Sequence, residues 1–248
     1  IYQSTQGAFD ISIYPVMQLW GFTTGDFAVP SKEDLDAKLA LVNAGRISLT
    51  EDNGVSSITL PEGMEIDLGG IAKGYTSGRV MEVMKRYGIE SAVINLGGNA
   101  HVLGSKTDGS AWKVGIQDPN DTNGYLGGVS VRDKAIITSG GYERYFVDEA
   151  TGVKYHHIID PKTGYSANSG LISVTIVSAD STLADGLSTS LFVLGTEDAI
   201  AYCEEHCAED GFDAIMEDED GKLYITDGVM DDFINMNNTA NIQEIKTK

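Results

Sequence analysis

Residues 91–147, SAVINLGGNAHVLGSKTDGSAWKVGIQDPNDTNGYLGGVSVRDKAIITSGGYERYFV, decide the fold class of this chain. They hold six strand candidates, at 91–96, 100–103, 112–116, 128–131, 135–138 and 142–147, several of them separated by glycine-rich turns. Runs of strands interrupted by few helices favour an α+β architecture with largely antiparallel sheets and packed helices over a regular βαβ array. Upstream, a helix is expected over 71–87, opened by Gly69-Gly70 and closed by Gly88. A hairpin is expected from 46–50 and 55–60, because Asn53-Gly54 is a strong turn signal. Ser31 and Asp34 mark the start of a further helix with Leu35, Leu39 and Val42 at helical spacing. Before it, GAFDISIYPVMQLWGF (7–22) runs from alternating Phe9, Ile11 and Ile13 into an aromatic-rich turn or short helix after Pro15. Downstream, the pattern predicts a strand at 171–178, helices at 183–193 and 197–207, strands at 212–216 and 223–225, and a frayed polar tail over 229–248.

At 248 residues, 42% hydrophobic and 22% charged, the chain can bury a substantial core as one large domain or two intimately packed lobes. Its net charge of −20 concentrates in the C-terminal third, around Glu204, Glu205, Glu209, Asp210, Asp213 and 217–220. Such a surface repels nucleic-acid phosphates and anionic membranes. A phosphorylated substrate would then need its charge met locally, by a metal ion, helix N-termini or a few basic residues. Cys203 and Cys207 stand at helical spacing and read as two thiols on one helical face rather than as a zinc site or a disulfide. No apolar run reaches transmembrane length and no signal peptide is recognisable. A start at Ile1 leads to the expectation of a fragment or processed form.

Three segments could carry chemistry. TLADGLST (182–189) places Asp185 and Thr189 four residues apart at the start of a helix, so that two hard oxygen ligands share one face. Thr182 with Asp185 also matches a capping box, which only satisfies the first amides of the helix. HHIIDPKTG (156–164) contains a turn at Asp160-Pro161 and Thr163-Gly164. Of its two adjacent histidines, one should face inward, either as a general base or as a hydrogen-bonded core residue. EIDLGGIAKGY (65–75) sets Asp67 before a glycine pair and a helix N-terminus, where backbone amides can approach a phosphate. It is neither a Walker A loop nor a GxGxxG fingerprint. The glycine turns at Gly97-Gly98-Asn99 and Ser139-Gly140-Gly141 either line a ligand or simply turn the chain.

Taken together and in order, GAFDISIYPVMQLWGF, EIDLGGIAKGY, INLGGN, IITSGGYERYF, HHIIDPKTG and TLADGLSTSLFVLG resemble the ApbE family of flavin transferases. The resemblance covers most of residues 7–195 and implies one ApbE-like α+β domain over 1–248, incomplete at its N-terminus. It implies FAD as substrate, a Mg²⁺ ion as cofactor, and transfer of FMN to a threonine of an acceptor protein with release of AMP. By resemblance, the Mg²⁺ ligands are the Asp185 and Thr189 side chains and the Gly70 carbonyl. The FAD contacts are Ala8, Phe9, Asp10, Asp67, Lys73, Ile158 and Ile159, and His157 is the base, with Asp185 the other catalytic residue. The family also implies a bacterial envelope location through a lipoprotein or export segment. Two other readings are a Mg²⁺-dependent FAD pyrophosphatase and a non-catalytic flavin-binding envelope protein. A structural or adhesion module fits the acidic surface but leaves the ordered motifs unexplained.

Overall fold

A computed structural model describes residues 1–121, 123–237 and 241–248 of the chain. In order, the elements are a 3₁₀ turn at Ile11–Ile13, α1 (Tyr14–Leu19), α2 (Lys32–Leu39), β1 (Ser48–Asp52), β2 (Val55–Thr59), α3 (Ala72–Arg86), β3 (Ala92–Leu96), β4 (Asn99–Leu103), β5 (Trp112–Gln117) and β6 (Tyr125–Val131). They continue as β7 (Ala135–Gly140), β8 (Tyr145–Val147), β9 (Lys154–His156), β10 (Leu171–Ser178), α4 (Ser181–Leu194), α5 (Thr196–Asp210), β11 (Phe212–Asp218), β12 (Leu223–Thr226), α6 (Asp227–Met230), β13 (Phe233–Asn235) and β14 (Ile242–Ile245). The expected α+β class is what forms. Among the described residues, all strand pairs are antiparallel except β12 with β14.

The chain divides into two compact units, residues 1–68 with 143–167 and residues 69–142 with 168–248. The first is built on an aromatic core. Val16, Trp20, Phe22, Leu35 and Ile159 are buried together, with Phe146 and Tyr155 packed against them. Trp20 satisfies its indole N–H on the Gly164 carbonyl at 2.7 Å, which ties α1 to the turn at the end of the histidine segment. That turn is the expected one, with Asp160 accepting from the Lys162 amide at 2.9 Å through its side chain and from the Gly164 amide at 2.8 Å through its carbonyl. The β1–β2 hairpin turns at Asn53 and Gly54, with φ of 50° and 78°, the paired positive values that an Asn-Gly turn supplies.

The second unit stacks a seven-stranded sheet, in the order β14-β12-β11-β10-β7-β4-β3, on a three-stranded sheet, β13-β6-β5. The apolar layer between them contains Val102, Ile136, Val177, Ile215 and Ile225 from the large sheet and Ile116, Leu126, Val129 and Val131 from the small one. Strand alternation turns the neighbours of these residues to the opposite face, where α4 packs on β7 and β10 and α5 on β11. That face therefore receives Asn99 and His101 of β4 and Ser139 of β7. Cys203 and Cys207 are buried on α5 as free thiols, as their spacing implied. The C-terminal stretch departs from the expected fraying: β13 pairs with β6, and β14 adds to the edge of the large sheet with Ile245 only 1% exposed. No helix among the described residues is long and apolar enough to cross a membrane.

Candidate functional site

The expected site residues divide between the units: Ala8, Phe9, Asp10, Asp67, His157, Ile158 and Ile159 lie in the first, and Gly70, Lys73, Asp185 and Thr189 in the second.

In the second unit, Asp185 sits in the second turn of α4 and is 5% exposed. Its capping reading does not hold. The N-cap of α4 is Asp180, whose carboxylate accepts from the Thr182 and Leu183 amides at 2.8 and 3.0 Å. Thr182 is already inside the helix, because Asp180 is the residue with extended backbone. The Asp185 carboxylate is thereby released from capping and turns to other elements. Its Oδ2 accepts from the Gly74 amide at 2.7 Å and its Oδ1 from Asn99 Nδ2 at 3.0 Å. Burial pushes its pKa up, opposed by those two hydrogen bonds and by the Lys73 charge.

Gly74 makes this contact possible. A Cβ there would fall 2.1 Å from the Ser181 carbonyl oxygen and 2.6 Å from Asp185 Cβ, so only glycine lets α3 approach α4 this closely. Ser181 Oγ and Ser77 Oγ both donate to the Gly74 carbonyl, at 2.6 and 3.0 Å. The Gly74 amide also bears on Gly70. In a helix continued backwards it would donate to the Gly70 carbonyl, and it donates to Asp185 instead, while the first intrahelical bond runs from Tyr75 to Ile71 at 3.1 Å. The Gly70 carbonyl is thus relieved of that helical partner. Thr189, one turn beyond Asp185, has its Oγ1 3.2 Å from Ser139 Oγ.

This donor set fits Mg²⁺: one buried carboxylate, one hydroxyl and one carbonyl are hard oxygen ligands, and Mg²⁺ characteristically takes few protein ligands and completes its shell with water and substrate phosphate. No group of three or more His, Cys, Asp or Glu able to hold a metal occurs among the described residues, which a shell with a single carboxylate does not require. A cavity of about 670 Å³ in the same unit, lined by Tyr75, Arg79, Lys85 and His101 among others, includes none of these donors.

In the first unit, both histidines are half-buried and differ in their ring contacts. His156 has both ring nitrogens engaged, Nε2 with the Ala167 carbonyl at 2.9 Å and Nδ1 with the Ile158 amide at 3.3 Å. Burial pulls its pKa down, so it is a neutral structural residue. His157 Nδ1 lies 3.2 Å from the Arg144 carbonyl. A carbonyl only accepts, so Nδ1 carries a hydrogen.

Ala8, Phe9 and Asp10 are buried, at 3%, 9% and 7% exposure. The Asp10 carboxylate accepts from the Ser12 amide and hydroxyl and from the Ala44 amide, capping the 3₁₀ turn and pinning the loop after α2. Its side chain is therefore committed to folding. Ile158 and Ile159 are 5% and 6% exposed, the second within the aromatic core. Asp67 is half-buried, with its amide on the Ile11 carbonyl at 2.7 Å. Lys73 is exposed at the start of α3. Asn99, Gly74 and Ser139 lie in segments that the sequence singled out, but it gave none of the three a role beside Asp185. The two glycine turns it flagged, 97–99 and 139–141, were the available signal.

A profile of the ApbE family matches residues 1–216. The chain is 40% identical over 195 residues to an FAD:protein FMN transferase of Klebsiella pneumoniae (strain 342), spanning 78% of this chain and 59% of that relative. It is 35% identical over 242 residues to the FAD:protein FMN transferase of Treponema pallidum (strain Nichols), spanning 92% of this chain and 66% of the relative. Among solved structures, the ApbE protein of Thermotoga maritima MSB8 superposes with a TM-score of 0.81 at 34% identity, over 90% of this chain and 71% of its own. The flavin transferase ApbE of Vibrio cholerae does so with a TM-score of 0.74 at 34% identity, over 90% and 70%.

Proposed function

The chain belongs to the ApbE family, and from that premise we propose that it is a Mg²⁺-dependent FAD:protein FMN transferase. The reaction attaches FMN from FAD to a threonine hydroxyl of an acceptor protein and releases AMP. The observation that carries the reading is the buried Asp185 carboxylate, oriented by the Gly74 amide and Asn99 rather than by helix capping. Asp185, Thr189 and the Gly70 carbonyl would hold a Mg²⁺ ion, which would supply charge neutralisation at the FAD pyrophosphate.

The chain's own residues do the rest. His157 is assigned to take the acceptor hydroxyl proton, with its Nδ1 hydrogen-bonded to the Arg144 carbonyl. The acceptor oxygen forms a bond to the FMN-side phosphorus as the phosphorus–oxygen bond to AMP breaks. Ala8, Phe9, Asp10, Asp67, Lys73, Ile158 and Ile159 belong to the FAD-binding part of this reading, with Asp10 acting through the loop it pins. A bacterial envelope location is proposed on the same family ground.

The test is incubation with FAD, Mg²⁺ and a candidate acceptor, followed by the acceptor's mass. An FMN-sized increment is expected; free FMN and AMP with an unmodified acceptor would instead make the chain a pyrophosphatase, and unchanged FAD a binder. Asp185→Asn is expected to lower Mg²⁺-dependent AMP release on the order of 100-fold or more, since the amide lacks the ligand charge. Release at the parent rate would sink the donor-set assignment.

A further inference from the structure

Three hydroxyls beside Asp185 form a chain whose direction is fixed at one end. Ser188 Oγ donates to the Asp185 backbone carbonyl at 2.9 Å, and a carbonyl has no hydrogen to return. The single hydroxyl hydrogen of Ser188 is therefore committed. Ser139 Oγ lies 2.8 Å from Ser188 Oγ, so in that pair Ser139 is the donor. Ser139 then has no hydrogen left for Thr189 Oγ1 at 3.2 Å, and Thr189 must donate to it. The order Thr189 to Ser139 to Ser188 to the Asp185 carbonyl is the one arrangement that satisfies all three contacts at once.

This direction matters for the chemistry of Thr189. A neutral hydroxyl binds a cation through its oxygen lone pairs, and a hydroxyl hydrogen turned toward the cation opposes binding. With its hydrogen held by Ser139, Thr189 is left as an acceptor. The fold supports the placement. Ser139 shares a face of β7 with Ala135 and Ile137, the face on which α4 packs, while Ser188 is fully buried at 0% exposure on α4.

We propose that Ser139 is a positioning residue that takes the hydroxyl hydrogen of Thr189 and thereby holds Thr189 in its cation-accepting orientation. The proposal rests on the Mg²⁺ reading given above, and Ser139 itself need not touch the ion. Three variants separate positioning from simple packing. Ser139→Ala removes the acceptor, and Ser139→Thr keeps it. Ser188→Ala leaves the Ser139–Thr189 contact intact but frees the Ser139 hydrogen to reverse the relay.

Mn²⁺ binding to the purified chain, followed by electron paramagnetic resonance of the free ion, is the first readout. We expect Ser139→Ala to weaken Mn²⁺ about tenfold, Ser139→Thr to restore it, and Ser188→Ala to weaken it although no contact of Thr189 is deleted. The second readout needs no metal: the χ1 couplings of Thr189 by NMR should report one rotamer in the parent and mixed rotamers in Ser139→Ala. If the parent binds Mn²⁺ and both alanine variants bind it as tightly, the proposal is overturned. If the parent binds no Mn²⁺, the functional reading fails separately, and a single Thr189 rotamer surviving in Ser139→Ala overturns the relay as well.

Discussion

Glu217, on β11, is 4% exposed, and its Oε2 is a buried atom without a hydrogen-bond partner. Burial pushes its pKa up to about 7, and the Asp118 and Asp218 charges add to the shift. The folded state thus binds this proton more tightly than the unfolded chain, whose value is 4.5. Its stabilising contribution is complete below pH 4.5 and is lost as pH rises through about 7. Glu217→Gln should remove that dependence: urea unfolding at pH 5 and pH 8 is expected to show the variant gaining about 2 kcal/mol on the parent across the interval. A difference between the two proteins that stays constant with pH would mean that Glu217 is ionised throughout. The same residue-level reasoning separates the two histidines. The sequence set two histidines side by side; that His156 has both nitrogens engaged by Ala167 and Ile158 was not legible there, since those partners are fixed by the turn and bridge that follow.

Helix α4 shows how a local signal can be read one residue group too late. T-x-x-D at 182–185 has the pattern of a capping box, yet Asp180 has the extended backbone and accepts from two amides. Asp180→Ala is expected to cost about 1 kcal/mol in denaturant unfolding, and Thr182→Ala no more than a few tenths. Equal losses would return Thr182 to a capping role. Other elements were legible because their determinants are local. Ser31 caps α2 by accepting from the Asp34 amide at 3.1 Å, Asn53-Gly54 turns the first hairpin, and the alternating 171–178 run is β10 with those bounds. The 9–13 alternation belongs to no strand: Asp10 accepts from the Ser12 amide, and Ile11–Ile13 is a 3₁₀ helix before α1 begins. A side chain bonded two residues ahead outweighs a two-residue alternation.

Across the whole molecule, 37 acidic residues face 17 basic ones, and the exposed ion pairs Lys32–Asp36 and Arg79–Glu82 offset little of the resulting repulsion. Raising NaCl from 0.01 to 0.1 M shortens the screening length from about 30 to about 10 Å. The melting temperature should therefore rise by about 2–5 °C. A fall would show that local ion pairs outweigh the global charge. The sequence by itself determined the elements with local signals, the α+β class and the order of motifs that marks the family, because periodicity, turn residues and motif strings act over a few neighbours. It also carried Asp185 and Thr189 as a pair, four residues being one helical turn. Only the tertiary structure decided what holds them. Gly74 is 111 residues from Asp185 and Asn99 is 86 away, while Ser139 lies 50 residues before Thr189. Such contacts exist only once α3, α4 and the strands of one sheet have packed, and no local propensity encodes which buried donor will meet which acceptor.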